Sequence, residues 1–193
     1  MNAVSVVRGE MNSFKKISTS LPGVFILEPR VFGDERGFFL ESYNQKAMAA
    51  AGISDLFVQD NHSCSSRNVL RGLHYQVKQS QGKLVRVAEG EILDVAVDLR
   101  KSSPTFGSWE AVRLSGENKR MLWIPAGLAH GFRVISDKAH VLYKATDFYA
   151  PEHERTLAWN DAQLKIDWGL DGDPIVSAKD QRGVAFRDAE VFE

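Results

Sequence analysis

The feature that most restricts this chain is a close succession of short strand-like segments with no long helical pattern among them. Short strands are expected over 57–61, 69–77, 83–88, 91–99, 109–115, 120–124, 131–135 and 141–148, and Asn68 to Gln76 shows the alternation of a half-buried strand. Gly82, Glu89-Gly90, Ser102 to Pro104, Gly116-Glu117-Asn118 and Pro125-Ala126-Gly127 separate them as turns. In 92–99, Leu93, Val95, Val97 and Leu99 make one wholly apolar face, with Asp94 and Asp98 on the other. Many short antiparallel strands imply an all-β sandwich or barrel, and a jelly roll suits this spacing best.

The flanks add little helix. A strand is expected over 24–29, closed by Pro29, and another over 38–43, with a turn at Gly33-Asp34-Glu35-Arg36-Gly37 between them. Asn44 is placed to cap a short helix over 45–51, which Gly52 ends. After Pro151 the pattern breaks into turns and short helical pieces, ending in a loop over 178–183. Residues 1–12 have no strong period and read as a loose extension. No internal repeat and no Gly- or Ser-rich linker divides the 193 residues, so one domain is expected.

Charge and cysteine content narrow the function. The 24 basic and 25 acidic side chains nearly cancel, so no overall field attracts nucleic acid or an acidic membrane surface. Any bound anion must be held by local groups. The single cysteine, Cys64, excludes an intrachain disulfide and suits a reducing compartment. With no apolar run long enough to span a bilayer and no signal-peptide core, a cytoplasmic location is expected.

Asn68 to Gln76 holds the densest chemistry, with Arg71 and His74 on either side of Gly72. Three residues apart, they point to opposite faces of a regular strand, and Gly72 is the residue expected to bulge and re-aim them. Alone, the pair reads as a surface arginine beside a core histidine bonded to backbone. A Cys–His nucleophile from Cys64 and His62 is disfavoured, because Ser63, Ser65 and Ser66 read as the end of that strand.

The segment Pro125-Ala126-Gly127-Leu128-Ala129-His130 resembles the second motif of the cupin superfamily, which implies a small β-barrel or jelly roll. The first motif of the metal-binding cupins is absent, since no His-x-His occurs anywhere; His62, His74 and His130 are too few ligands, and no metal is expected. Further segments appear in order: Phe32 to Phe39, Gln59-Asp60-Asn61-His62-Ser63, Leu70-Arg71-Gly72-Leu73-His74, Gly82-Lys83-Leu84-Val85-Arg86, Asp94 to Asp98, Trp123-Ile124-Pro125, Ala129 to Phe132, Leu142 to Thr146 and Ser177-Ala178-Lys179-Asp180. Together they resemble the dTDP-4-dehydrorhamnose 3,5-epimerase family, from about Phe14 to Asp180.

That resemblance implies a metal-independent enzyme, usually a homodimer, acting on a dTDP-4-dehydro-6-deoxyhexose with no cofactor. The ketone at sugar C4 acidifies the C3 and C5 hydrogens, so a base, an enolate-stabilising cation and an acid on the far face suffice. By resemblance His74 is the base and Asp180 its partner, Lys83 stands at the C4 oxygen, and Tyr143 returns the proton. Arg36, Arg71 and Lys179 are the implied cations for the sugar nucleotide, with Glu41, Gln59, Asn61, His130 and Glu154 as further contacts and Tyr149 stacking on thymine. Read without the family, Lys83 and Asp180 are a surface lysine and a solvated turn carboxylate, and Tyr143 is a core tyrosine. A single-carbon epimerase and a non-catalytic sugar-nucleotide-binding cupin remain open.

Overall fold

The computed structural model describes residues 13–193, so the extension expected over 1–12 lies outside the described residues. The strands are β1 (Phe14–Ser18), β2 (Phe25–Pro29), β3 (Val31–Asp34), β4 (Gly37–Leu40), β5 (Gln59–Ser66), β6 (Val69–Gln76), β7 (Lys83–Glu89) and β8 (Glu91–Asp98). They continue with β9 (Trp109–Ser115), β10 (Met121–Ile124), β11 (Leu128–Val134), β12 (Lys138–Ala145), β13 (Glu154–Thr156) and β14 (Ile175–Val176). The helix α1 (Gln45–Ala51) starts where Asn44 Oδ1 accepts from the Lys46 and Ala47 N–H groups and stops at Gly52, at φ 99°.

Two six-stranded sheets carry the fold. One has the order β1-β2-β10-β7-β12-β5; the other runs β13-β6-β11-β8-β9, with β14 added parallel to β6. Between them Val85, Val87, Leu122 and Val141 of the first sheet meet Ile92, Ala96, Leu114 and Phe132 of the second. A second apolar layer lies outside the second sheet, where Val95, Val97 and Leu99 pack under Leu157, Leu164, Trp168 and Phe186 of the C-terminal segment. Both faces of β8 are therefore covered, and Asp94 and Asp98 are buried inside the sandwich.

Several expected boundaries move. The segment expected as a turn at 33–37 is a hairpin: β3 pairs with β4, Phe32 opposite Phe39, with the turn only at Glu35-Arg36. The strand expected over 57–61 runs to Ser66, because each residue from Gln59 to Ser66 has a partner on β12; its serines do not end it. Cys64 thus lies in the strand beside His62, whose Nε2 is bonded to His140 Nδ1 at 2.9 Å. The strand β11 begins before Gly131 and includes His130, and β12 begins at Lys138 and ends at Ala145. Strand β1 carried no signal that was read in the sequence. The C-terminal pieces are short 3₁₀ turns at Pro151–His153, Asp180–Arg182 and Phe186–Asp188.

The bulge expected at Gly72 is present. His130 pairs with His74 and Phe132 with Arg71, so three steps on β6 face two on β11. Gly72 has φ 107°, and a Cβ there would stand 2.6 Å from Gly131 Cα and His130 O. Below the bulge Val69 faces the core between the sheets; above it Leu73 and Tyr75 face the outer layer. Arg71 and His74 therefore share the inner face.

Candidate active site

The inner faces diverge at one end of the sandwich around a cavity of about 310 Å³. Its lining includes Gln59, Asn61, Lys83 and Tyr143 from the first sheet, His74 and Gln76 from β6, and Tyr149 and Glu154 beyond β12. Lys83 and Tyr143 point inward because they keep the parity of the core residues Val85 and Val141.

His74 Nε2 donates to Asp180 Oδ1 at 2.5 Å, which leaves Nδ1 free to act as an acceptor. The second oxygen of Asp180 accepts from the Gly72 N–H at 3.3 Å, and the Asp180 N–H donates to Ser177 Oγ at 3.1 Å. Burial opposes ionisation of this carboxyl, but the hydrogen bond and charge of His74, with the Gly72 and Ser177 bonds, hold it below the usual carboxylate range.

Lys83 is buried, its Nζ directed at the His74 carbonyl oxygen 3.5 Å away. Burial pulls its ammonium down to about 8, against the charges of Glu154 and Asp94, while Lys179 pulls the same way as burial. The Tyr143 phenol is pushed up by burial and by Glu154, and Arg71 partly offsets this. At neutral pH both groups therefore hold a proton they can donate: one is an ammonium, the other a neutral phenol.

A chain of contacts continues toward the rim. Tyr149 O–H donates to Glu154 Oε2 at 2.8 Å, and Lys179 Nζ lies 2.5 Å from Glu154 Oε1. Gln59 accepts the Tyr149 N–H at 3.0 Å and donates to Asn61 Oδ1 at 3.1 Å. Gln76, not among the expected site residues, donates to the Gln79 and Phe148 carbonyls and accepts from the Ala150 N–H. It shares the parity of His74, which was the available signal. Arg71 Nε donates to Ser65 Oγ at 3.1 Å.

Other expected site residues stand differently. His130 is buried, its Nε2 bonded to Asp94 Oδ1 at 2.7 Å and its ring 6.5 Å from that of Tyr143. Asp94 was not read as a site residue. Arg36 is not brought to the cavity: it sits on the exposed hairpin turn, paired with Asp34 at 2.5 Å. Glu41, at the base of the hairpin, accepts from Asn44 Nδ2 at 3.1 Å and does not line the cavity either. Among the described residues, no group of three or more His, Cys, Asp or Glu side chains is placed to hold a metal ion. Nor is any described helix long and apolar enough to cross a membrane.

Two packed β-sheets with a polar site of this kind between their inner faces define a cupin-like sandwich enzyme. A family model described as dTDP-4-dehydrorhamnose 3,5-epimerase matches residues 18–188. The chain belongs to this family, and thereby to the isomerases. It is 62% identical over 179 residues to the dTDP-4-dehydrorhamnose 3,5-epimerase of Pseudomonas aeruginosa, covering 92% of this chain and 99% of that one. With the Shigella flexneri enzyme of the same name it shares 56% identity over 178 residues, covering 91% and 98%. Among solved structures, dTDP-6-deoxy-D-glucose-3,5-epimerase from Legionella pneumophila in complex with dTDP-4-keto-L-rhamnose matches with a TM-score of 0.89 at 51% identity, covering 92% of this chain and 95% of that one.

Proposed function

We propose that this chain epimerises dTDP-4-dehydro-6-deoxy-D-glucose at C3 and C5, giving dTDP-4-dehydro-L-rhamnose on the way to dTDP-L-rhamnose. The observation that carries this reading is the meeting of the His74–Asp180 pair, the Lys83 ammonium and the Tyr143 phenol around one cavity. His74 Nδ1 removes the proton next to the ketone, and Asp180 stabilises the imidazolium that forms. Lys83 supports the negative charge that develops on the C4 oxygen. Tyr143, from the sheet opposite His74, returns a proton to the far face of the ring, which inverts the carbon. His74 then releases its proton to solvent and Tyr143 regains one from it, so that the same steps repeat at the second carbon, and no electron is transferred.

Arg71 and Lys179 supply positive charge for the diphosphate, and Tyr149, held by Glu154 and Gln59, offers its ring to the thymine. Arg36 and Glu41 fit this reading through a homodimer. The β3–β4 hairpin pairs with no other strand among the described residues and exposes Phe32, Phe38 and Phe39. Packed on a second copy, it would bury those rings and carry Arg36 and Glu41 to the partner's cavity.

The test is solvent deuterium exchange into dTDP-4-dehydro-6-deoxy-D-glucose, followed by NMR. Label at both C3 and C5 is expected. Label at one carbon means the narrower enzyme, and no label means a binder.

A further inference from the structure

Asp94 occupies a position that packing alone would give to an apolar residue. It lies on β8 between Ile92 and Ala96, both part of the core between the sheets, and is wholly buried. Oδ1 accepts from His130 Nε2 at 2.7 Å, whereas Oδ2 is buried with no protein partner among the described residues. A carboxylate in that setting costs stability, and a branched aliphatic side chain would fill the same place without the cost.

Its surroundings point to a use. His130 stands directly opposite His74 in the β11–β6 pairing, so two His–carboxylate pairs lie side by side on neighbouring strands. The one at His74 opens on the cavity, and the ring of His130 lies against Tyr143 in the cavity wall. Two acidic groups act on Lys83 from different elements: Glu154 on β13 and Asp94 on β8. Glu154 is already shared with Lys179 and Tyr149, while the free oxygen of Asp94 is committed to nothing else.

We propose that Asp94 is a positioning residue of the reaction: it holds His130 through Nε2 so that Nδ1 is presented to the sugar, and together with Glu154 it supplies negative charge that acts on the Lys83 ammonium. This rests on the epimerase reading above. Two consequences follow from the chemistry. Without an acceptor at position 94 the His130 ring is free to turn and to exchange tautomers, so its Nδ1 acceptor no longer meets the substrate in a set geometry. Without the charge, the Lys83 ammonium is left with Glu154 against its own desolvation and the repulsion of Lys179. Its proton then departs at lower pH. The remaining titratable neighbours, His74 on β6 and Tyr143 on β12, are unchanged by the substitution.

Asp94→Asn in the full chain tests this, since the amide keeps the size and can still accept from Nε2–H. Thermal unfolding and calorimetric binding of dTDP serve as controls, and dTDP affinity should stay within about threefold, because the nucleotide contacts are elsewhere. kcat should fall by about one to two powers of ten, and the alkaline limb of kcat/KM should move to lower pH by about half a unit or more. An unmoved limb, or an unchanged kcat, overturns the proposal. If the variant does not fold, ¹⁵N NMR of the parent decides. The His130 ring, assigned through its contacts with the Tyr143 ring, should carry its proton on Nε2, shifted downfield by a carboxylate acceptor. An unprotonated Nε2 overturns it. If the parent exchanges no label at all, the epimerase reading fails, and the NMR result still shows whether Asp94 holds His130.

Discussion

Asp180 reaches His74 at 2.5 Å across 106 positions of sequence. Three features bring the carboxylate there: β14 adds to the edge of β6, Ser177 accepts the Asp180 N–H, and Asp180 opens a 3₁₀ turn. Asp180→Asn keeps the volume and removes the charge. Bound-state deuterium exchange should drop by about two to four powers of ten at saturating substrate. Lys179→Ala, next in the chain, should instead weaken nucleotide binding more than it slows exchange. Parental exchange rates in the Asn variant would reduce Asp180 to a structural carboxylate.

Tyr143→Phe keeps the ring that packs against the core and the His130 ring and removes only the hydroxyl. Proton removal at His74 should continue while delivery on the far face fails. Loss of label from the substrate should therefore outlast formation of the L-configured product. Unchanged product formation rejects the role.

Lys83 sets activity against stability. Its ammonium loses its proton at about 8 in the folded chain, below the ordinary 10.5 that the unfolded chain approaches. The unfolded chain thus binds more protons between these values, and this group's contribution to stability rises as pH climbs from about 8 to 10.5. Activity that needs the ammonium runs the other way, and kcat/KM should fall above about pH 8. Lys83→Met should raise stability at pH 7 by on the order of 1–3 kcal/mol and lower kcat by about 10³ or more. Denaturant unfolding and initial rates check both. A less stable but active Met variant contradicts the assignment.

How far the sequence could be read depended on whether the signal was local. Asn44 and Gly52 bracketed α1 correctly because caps act within one turn of backbone. The alternation through β8 separated Leu93 and Val95 from Asp94, but alternation does not say which face is inside when both are covered. The polar row of β8 proved to be the interior one, and so Asp94 went unread. Ser63, Ser65 and Ser66 looked like a strand end because serine is a weak strand former; pairing along β12 overrides that preference, and no local pattern reports it. Asp180 and Glu154 were placed by family resemblance alone, since nothing in a loop carboxylate's neighbours reveals a partner so far away.

Gly72→Ala should be costly for so small a change. The new methyl group meets backbone at 2.6 Å on the facing strand, at a φ of 107° that alanine avoids. A loss of more than about 2 kcal/mol in unfolding free energy is expected, with activity falling further than stability accounts for. Wild-type unfolding would mean that the bulge relaxes freely.

The exposed rings of the β3–β4 hairpin give a separate test of the dimer. Phe38→Ser with Phe39→Ser should shift sedimentation toward a monomer and raise KM, as Arg36 and Glu41 leave the partner's cavity. A double variant that sediments and binds like the parent would leave the hairpin with another role.

The extra residue in β6 has a consequence for how such a strand can change over generations. Upstream of Gly72 odd-numbered positions look inward, and downstream even-numbered ones do. Replacing a letter alters one side chain. Losing one letter between Arg71 and His74 leaves them two apart, and a regular strand then keeps the cation and the imidazole on one face with no bulge at all. Descendants of this gene can therefore shorten the strand by one letter and still aim both side chains inward, whereas at the present length that shared aim depends on the bulge at Gly72.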